Sequence, residues 1–420
     1  MSPKPSDAHY VSAAEASRVL GISPGTLYSY VSRGMLHSQA ASPGSRQRRY
    51  LREDVERLKS RKELRNHPDK AAQQALRWGQ PVMESSITLV ANGRCYYRGH
   101  DVAELAATRT LEEVAGLIWL NDLGATSLFE SQYKIPGIVA KVLPHLRDLP
   151  PLGRFEAVLP LAQEVDAQAF TLTTEAVPQV GARILRLLTA VAGQGASPRF
   201  HPTQRETSGV AATLQEAWSA GDMRARSLIS TALVCMADHE LNVSSFTARC
   251  VASAGAGPYQ VVSGALAALH GWKHGGATEL TAQLVQDAAA TKDLREFLTA
   301  RQRLGQYLPG FGQQLYPAGD PRAAVLFERM IALYPRSAEL ALARQVAASG
   351  EELSGQKPNV DFALATLCHV LHLNPGSGIT LFALGRTVGW IGHAMEQYER
   401  HELIRPRAHY TGLLPTASSA

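Results

Sequence analysis

The sequence predicts a mainly α-helical body preceded by a small winged helix-turn-helix domain, and three observations carry that expectation. From Asp101 onward, Ala, Leu, Glu and Arg recur at helical spacing with Gly and Pro between segments. Residues 10–36 hold two short amphipathic helices around a glycine. The formal charge of +5 is confined to one end, since the first 66 residues carry twelve Lys and Arg against six Asp and Glu. A basic end on a near-neutral body points to a polyanion partner for that end alone.

Length and composition bound the rest. A chain of 420 residues with 45% hydrophobic content can bury a large core and should form two or three domains. No apolar run approaches the roughly 18–20 residues needed to cross a bilayer, and the first thirty residues lack a charged-then-apolar leader. A soluble, cytoplasmic protein with no membrane partner is expected. The four cysteines, Cys95, Cys235, Cys250 and Cys368, show no metal-type spacing and sit in apolar stretches that suit buried thiols. No metal site is expected.

In the amino-terminal segment, Ala13, Ala16, Val19 and Leu20 mark one helix face that Gly21 ends. Ser23 suits an N-cap, Pro24 the first helical position, and Leu27, Tyr30 and Val31 the buried side of a second helix stopping near Gly34. That helix would offer Ser23, Thr26, Tyr28, Ser29 and Arg33 to a DNA groove. A turn at Pro43 and Gly44 followed by Arg46, Arg48 and Arg49 has the character of a basic wing. With the Asp-Val-x-Arg-Leu helix that follows, this stretch resembles the winged helices of the excisionase and MerR-type group. The resemblance implies DNA binding through residues 10–66, which would require a dimer because one small domain binds weakly. A protein-interaction domain with a solvated basic face is the competing reading.

Residues 67–77 suit a linker. After it, alternating apolar residues around Asn92-Gly93 predict a β-hairpin. Four later segments carry chemistry: Asp238-His239-Glu240, placed inside a long apolar helical run; His274-Gly275-Gly276, breaking a helix; a Gly-rich turn leading to Asp320-Pro321-Arg322; and a final part holding Asp361, Arg386 and Arg405. Each is weak singly, because a lone histidine on an apolar helix is usually a core residue. As a set they suit one task. Arginine forks hold carboxylates, a carboxylate removes a proton beside a thioester carbonyl, and a neutral imidazole stabilises the resulting enol.

The order and local sequences of these segments resemble citrate synthase over residues 78–415, including the opening hairpin, the Ala-Asp-His-Glu-Leu-Asn run, the His-Gly-Gly-Ala turn and the Leu-Ile-Arg-Pro-Arg-Ala tail. The resemblance implies the citrate synthase fold: a large helical domain (78–276 and 366–415), a small mobile helical domain (277–365) and a tail (416–420), in a homodimer. It implies condensation of acetyl-CoA, or another short acyl-CoA, with oxaloacetate or a related 2-oxo acid as in the tricarboxylic acid cycle, with no permanently bound cofactor. By the same resemblance Asp361 is the general base and His274 stabilises the enol. His239, Asn242 and Phe382 line the oxaloacetate pocket. Arg322, Arg386 and Arg405 clamp its carboxylates, the last from the other subunit, and Asn359 approaches coenzyme A. One position departs: the family's Gly-Phe-Gly-His turn has Gln313 in place of the histidine that polarises the ketone. A neutral amide donor is weaker there, so reduced activity is expected. Lys273, beside His274, departs as well and receives no role. The competing function is a transcriptional regulator using a weakened condensing module as a metabolite sensor. Gln313 and the basic amino terminus favour it, whereas retention of Asp361, His274 and the arginines favours chemistry.

Overall fold

A computed structural model describes residues 10–33, 35–40, 47–52, 54–55, 58–59, 83–131, 133–194, 209–408 and 410–413. It comprises two compact units, Met1–Glu84 and Ser85–Ala420. The expected wing tip with Arg46, the 67–77 linker and the 416–420 tail lie outside the described residues.

The first unit runs β1 (Tyr10–Ser12), α1 (Ala13–Leu20), α2 (Pro24–Ser32), β2 (Ser38–Ala40) and β3 (Arg48–Leu51). Its helix ends follow the sequence signals. Ser12 Oγ accepts from Glu15 N and Gly21 closes α1 at φ 59°, while Ser23 Oγ caps Thr26 N with Pro24 in the first turn of α2. The strands form an antiparallel sheet in the order β1-β3-β2, with Val11 opposite Tyr50 and Gln39 opposite Arg49. Val11, Ala16, Leu20, Leu27, Leu36, Tyr50 and Val55 make a small shared core. Val19 departs from the expected helix face and is 36% exposed. So short a helix buries only the Ala16–Leu20 line, and position 19 falls on its flank.

The second unit opens with a hairpin, β4 (Thr88–Ala91) and β5 (Arg94–Tyr97), extended by β6 (His100–Asp101). Asn92 and Gly93 both have positive φ, 54° and 72°, as a two-residue primed turn demands. Helices follow: α3 (Val102–Thr108), α4 (Leu111–Leu120), α5 (Gly137–Val142), α6 (Pro151–Gln163), α7 (Ala176–Gln194), α8 (Val210–Trp218), α9 (Met223–Met236), α10 (Val243–Ser253), α11 (Pro258–Leu269), α12 (Gly276–Ala290), α13 (Leu294–Arg303), α14 (Pro321–Leu333), α15 (Ala338–Ser354), α16 (Val360–Val370) and α17 (Ser377–Arg400). Helix α17 is buried almost throughout, as expected of a core helix that is apolar around most of its circumference.

Among its described residues the second unit has two apolar cores. The larger draws on the hairpin, α3, α4, α6–α11, α14 and α17. The smaller joins Leu284, Val285, Leu298, Leu308, Phe311, Ala343 and Val346 from residues 284–346. Helix α16 belongs to both: Val360, Ala363, Leu364 and Leu367 enter the larger, and Phe362 and Ala365 the smaller.

Candidate functional site

Asp238, His239 and Glu240 do not lie inside a helix, contrary to the sequence expectation. Helix α9 ends at Met236, Glu240 takes φ 56°, and Asn242 Oδ1 caps α10 by accepting from Ser244 N and Ser245 N. The apolar run hid this break because no Gly or Pro marks it; Asn242 was the available signal. Buried His239 places Nε2 3.0 Å from the Tyr316 hydroxyl. Burial, then Arg322, Arg386 and His274, push its pKa well below the usual histidine value, so the ring is neutral.

His274 occupies the turn between α11 and α12, as its Gly-Gly pair predicted. Its Nε2 lies 2.8 Å from Ser244 Oγ, which also receives Trp390 Nε1–H at 3.1 Å. Phe382 meets the imidazole edge-to-face at 5.8 Å. Burial and then Arg386 lower the His274 pKa to about 4.

The Gly-rich turn crosses the start of α16. Gly310 sits at φ 86° with Thr281 and Phe362 closing around its α-carbon, and it accepts Asn359 N–H at 2.8 Å. Asn359 caps α16 through Oδ1 and donates Nδ2–H to Gly312 O at 3.0 Å, so its side chain ties the turn to the helix. Asp361, one residue into α16, accepts the Thr278 hydroxyl at 2.6 Å. Loss of solvent around the carboxyl outweighs that bond and the nearby arginines, pushing its pKa up to about 6. Gln313 is half-buried, and its Oε1 accepts Leu315 N–H at 3.3 Å, which leaves the amide nitrogen as the end able to donate.

The two buried arginines of the candidate site differ. Arg322 is held by Asp320 through Nε–Oδ1 at 3.0 Å and Nη2–Oδ2 at 2.8 Å. Burial lowers its pKa, but the Asp320 carboxylate outweighs that and holds it above the usual value. Arg386 donates Nε–H to Met236 O at 2.9 Å and stands 4.8 Å from the Phe382 ring. Its Nη2 is buried with no hydrogen-bond partner, and burial lowers its pKa.

The fold thus brings together His239, His274, Asp361, Arg322, Arg386 and Phe382, with Asn242 Nδ2 donating to His239 O at 3.2 Å and Gln313 O accepting Tyr316 N–H at 3.0 Å. Arg405, exposed in the irregular segment after α17, makes none of these contacts. Sequence reasoning missed the partners Ser244, Trp390, Thr278 and Tyr316, and named Asp320 without giving it a role. Only Asp320 carried a local signal, as an N-cap before Pro321. Among the described residues there is no cluster of three or more His, Cys, Asp or Glu able to hold a metal, and no helix long and apolar enough to cross a membrane.

In the first unit, Tyr28 is exposed on α2, with Thr26 and Ser29 partly so and Arg33 exposed at its end. Ser23, offered to the groove by the sequence, uses its hydroxyl on Thr26 N and Thr26 Oγ1. Arg48 is exposed and donates to Ser38 Oγ at 2.8 Å across the β2–β3 pair, and Arg49 is half-buried.

Comparisons with known proteins bear on the family and the fold. A family model described as "Citrate synthase, C-terminal domain" matches residues 75–407, and one described as "Helix-turn-helix domain" matches residues 10–63. The chain is 27% identical to "Citrate synthase 2" of Bacillus subtilis, covering 80% of this chain and 94% of the relative. It is 27% identical to the "2-methylcitrate synthase" of Shewanella oneidensis over the same shares. Among solved structures, citrate synthase of Thermotoga maritima aligns with a TM-score of 0.69 at 25% identity, covering 81% of this chain and 96% of that one. A ternary complex of Thermoplasma acidophilum citrate synthase with carboxymethyl coenzyme A and oxaloacetate shares the fold, with a TM-score of 0.70 at 22% identity over 83% and 98% of the two chains.

Proposed function

The chain belongs to the citrate synthase family, and we propose that its body condenses acetyl-CoA or another short acyl-CoA with oxaloacetate or a related 2-oxo dicarboxylate. The observation that carries this reading is Arg386: a buried cation with an unpartnered Nη2 beside two neutral imidazoles and a carboxyl of raised pKa. A buried unpaired donor is costly, and a substrate carboxylate is the group that satisfies it. Arg322, with Nε and Nη2 held by Asp320, offers a ligand its Nη1 edge. Arg405 of a second subunit would supply the third cation.

Asp361 removes a proton from the acyl carbon, and a pKa of about 6 leaves it ionised yet basic near neutral pH. His274 holds the enol oxygen. The Ser244 hydroxyl has one hydrogen and lies 2.8 Å from both Asn242 Oδ1 and His274 Nε2, and Asn242 Oδ1 also accepts two backbone N–H groups. Donated to His274 Nε2, that hydrogen leaves Nδ1–H for the enol. The enol carbon then attacks the ketone carbon as the thioester carbonyl re-forms, and the alkoxide, met by the Gln313 amide and His239, takes up a proton; water then hydrolyses the thioester of this adduct, breaking its C–S bond to release coenzyme A. Residues 277–365 act as the small domain that closes over the thioester and excludes water, with Asn359 on the coenzyme A side. The test is thiol release with oxaloacetate and acetyl- or propionyl-CoA. Turnover that D361N lowers by about 10²–10⁴ is expected; no turnover with either thioester would overturn the reading.

The amino-terminal match and the exposed Tyr28, Arg33 and Arg48 favour a second role, binding of a DNA site by paired helix-turn-helix units through Thr26, Tyr28, Arg33, Arg46, Arg48 and Arg49. In that role the body acts as a sensor of its substrates. Sequence-specific retardation of DNA that changes with oxaloacetate or acyl-CoA is expected, and identical binding to random duplexes would overturn it.

A further inference from the structure

The loop that carries His239 is held by side chains that the condensing chemistry does not itself use. The Tyr97 hydroxyl lies 2.9 Å from Asp238 O and receives Asp238 N–H at 3.2 Å. Thr88 donates to Asp238 Oδ2, and Gly389 N–H within α17 reaches Ala237 O at 2.9 Å. Below the loop, in the middle of α17, lies His393, fully buried, with Nε2 3.2 Å from Asp238 Oδ1 and Nδ1 3.9 Å from Glu396 Oε2. Glu396 in turn accepts Ser86 N–H at 2.7 Å and Arg249 Nη1–H at 2.9 Å. Arg249 lies on α10, the helix capped by Asn242 and carrying Ser244 beside His274. One imidazole therefore stands between two carboxylates. One carboxylate is chain neighbour to His239, and the other is tied to the helix behind His274.

A buried carboxylate so close to an imidazole interacts with it strongly in a medium of low polarity. Burial alone would raise the Asp238 pKa, but His393, Arg386 and Thr88 hold it below the usual carboxylate value. The helix makes room for this carboxylate: a methyl group at Gly389, one turn before His393, would overlap Asp238 Oδ1. Thr88, Tyr97 and Gly389 fix the loop's height above the helix, whereas His393 Nε2 faces Asp238 Oδ1 at 3.2 Å, and neither of these buried atoms has a hydrogen-bond partner elsewhere.

We propose that His393 is a positioning residue: through Asp238 it sets the orientation of the His239 imidazole, and so the affinity for the 2-oxo acid, without touching either substrate. The inference rests on the condensing reading of the site, but its first readout does not. In full-length protein labelled with 15N-histidine and free of substrate, the ring resonances of His239, assigned with H239Q, should move in H393L and in D238N. Calorimetry on the same variants should show oxaloacetate binding weakened by ~10- to 100-fold, about the loss of one hydrogen bond to a charged ligand, with coenzyme A affinity unchanged. H393Q, which keeps an amide donor, should restore most of the oxaloacetate affinity. Unmoved His239 resonances in both variants overturn the proposal, as does an equal loss of coenzyme A affinity, which would signify general loosening of the helices. Should H393L fail to fold, D238N, nearly identical in shape, decides by the same readouts. A wild-type protein that binds no oxaloacetate would overturn the condensing reading while leaving the histidine resonances to judge this one.

Discussion

At the scale of single residues, Asp361 makes the sharpest prediction because chemistry and stability oppose each other there. Its folded pKa of about 6 lies above the ordinary 3.8, so the native state binds the proton more tightly than the unfolded chain. Stability from this group is full below pH 3.8 and is lost as pH rises to about 6. D361N should therefore melt above wild type at pH 7.5, by at most about 3 kcal/mol of stability from a shift near two units, and the gap should close as pH falls from 6 toward 4. The same variant should lose about 10²–10⁴ in turnover. For the wild type, kcat/KM should rise through an apparent pKa near 6, since His274 at about 4 stays neutral across that limb. Q313H should raise kcat with oxaloacetate by up to about 10²–10³, and an unchanged value would mean a pocket shaped for another ketone. R386L should weaken dicarboxylate binding by about 10- to 150-fold, the range of one charge-assisted hydrogen bond of 1.5–3 kcal/mol. The residue types of this candidate site could be picked out of the sequence because the proposed carboxylate clamp, base and enol donor each call for a particular group. Their partners were not: Ser244, Thr278 and Tyr316 are ordinary polar residues whose value comes from long-range placement.

At the scale of elements, the sequence spoke clearly wherever backbone geometry was local. Ser23-Pro24 opened a helix, Gly21 closed one at φ 59°, and Asn92-Gly93 turned a hairpin. It was silent where tertiary contacts cut an apolar run, as between Met236 and Asn242, and where a three-residue strand such as β1 pairs only because β3 lies beside it. Two substitutions test the elements. S23A removes the cap of α2 and should cost about 0.5–2 kcal/mol in the amino-terminal unit, read as a lower melting transition for that unit. G389A forces a methyl against Asp238 and Ala237 and should destabilise the body by about 1–3 kcal/mol, read by urea unfolding; if stability is untouched, the loop and α17 are not packed as described.

At the scale of the whole molecule, composition foretold a basic end and a neutral body, and the two units divide along that line. DNA affinity should therefore fall steeply with salt, while oxaloacetate and coenzyme A binding by the body need not follow it. Alanine at Arg48 or Arg49 should each reduce the salt slope by about one without changing turnover. The double membership of α16 has a different consequence. Its Phe362 side packs on the smaller core and its Leu364 side on the larger. If the smaller core opens as its own cooperative unit, deuterium should enter the amides of α12, α13 and α15 well before those of α16. Asp361 then rides on an axle: the part of the molecule that breathes swings around the base, and the base itself keeps its place.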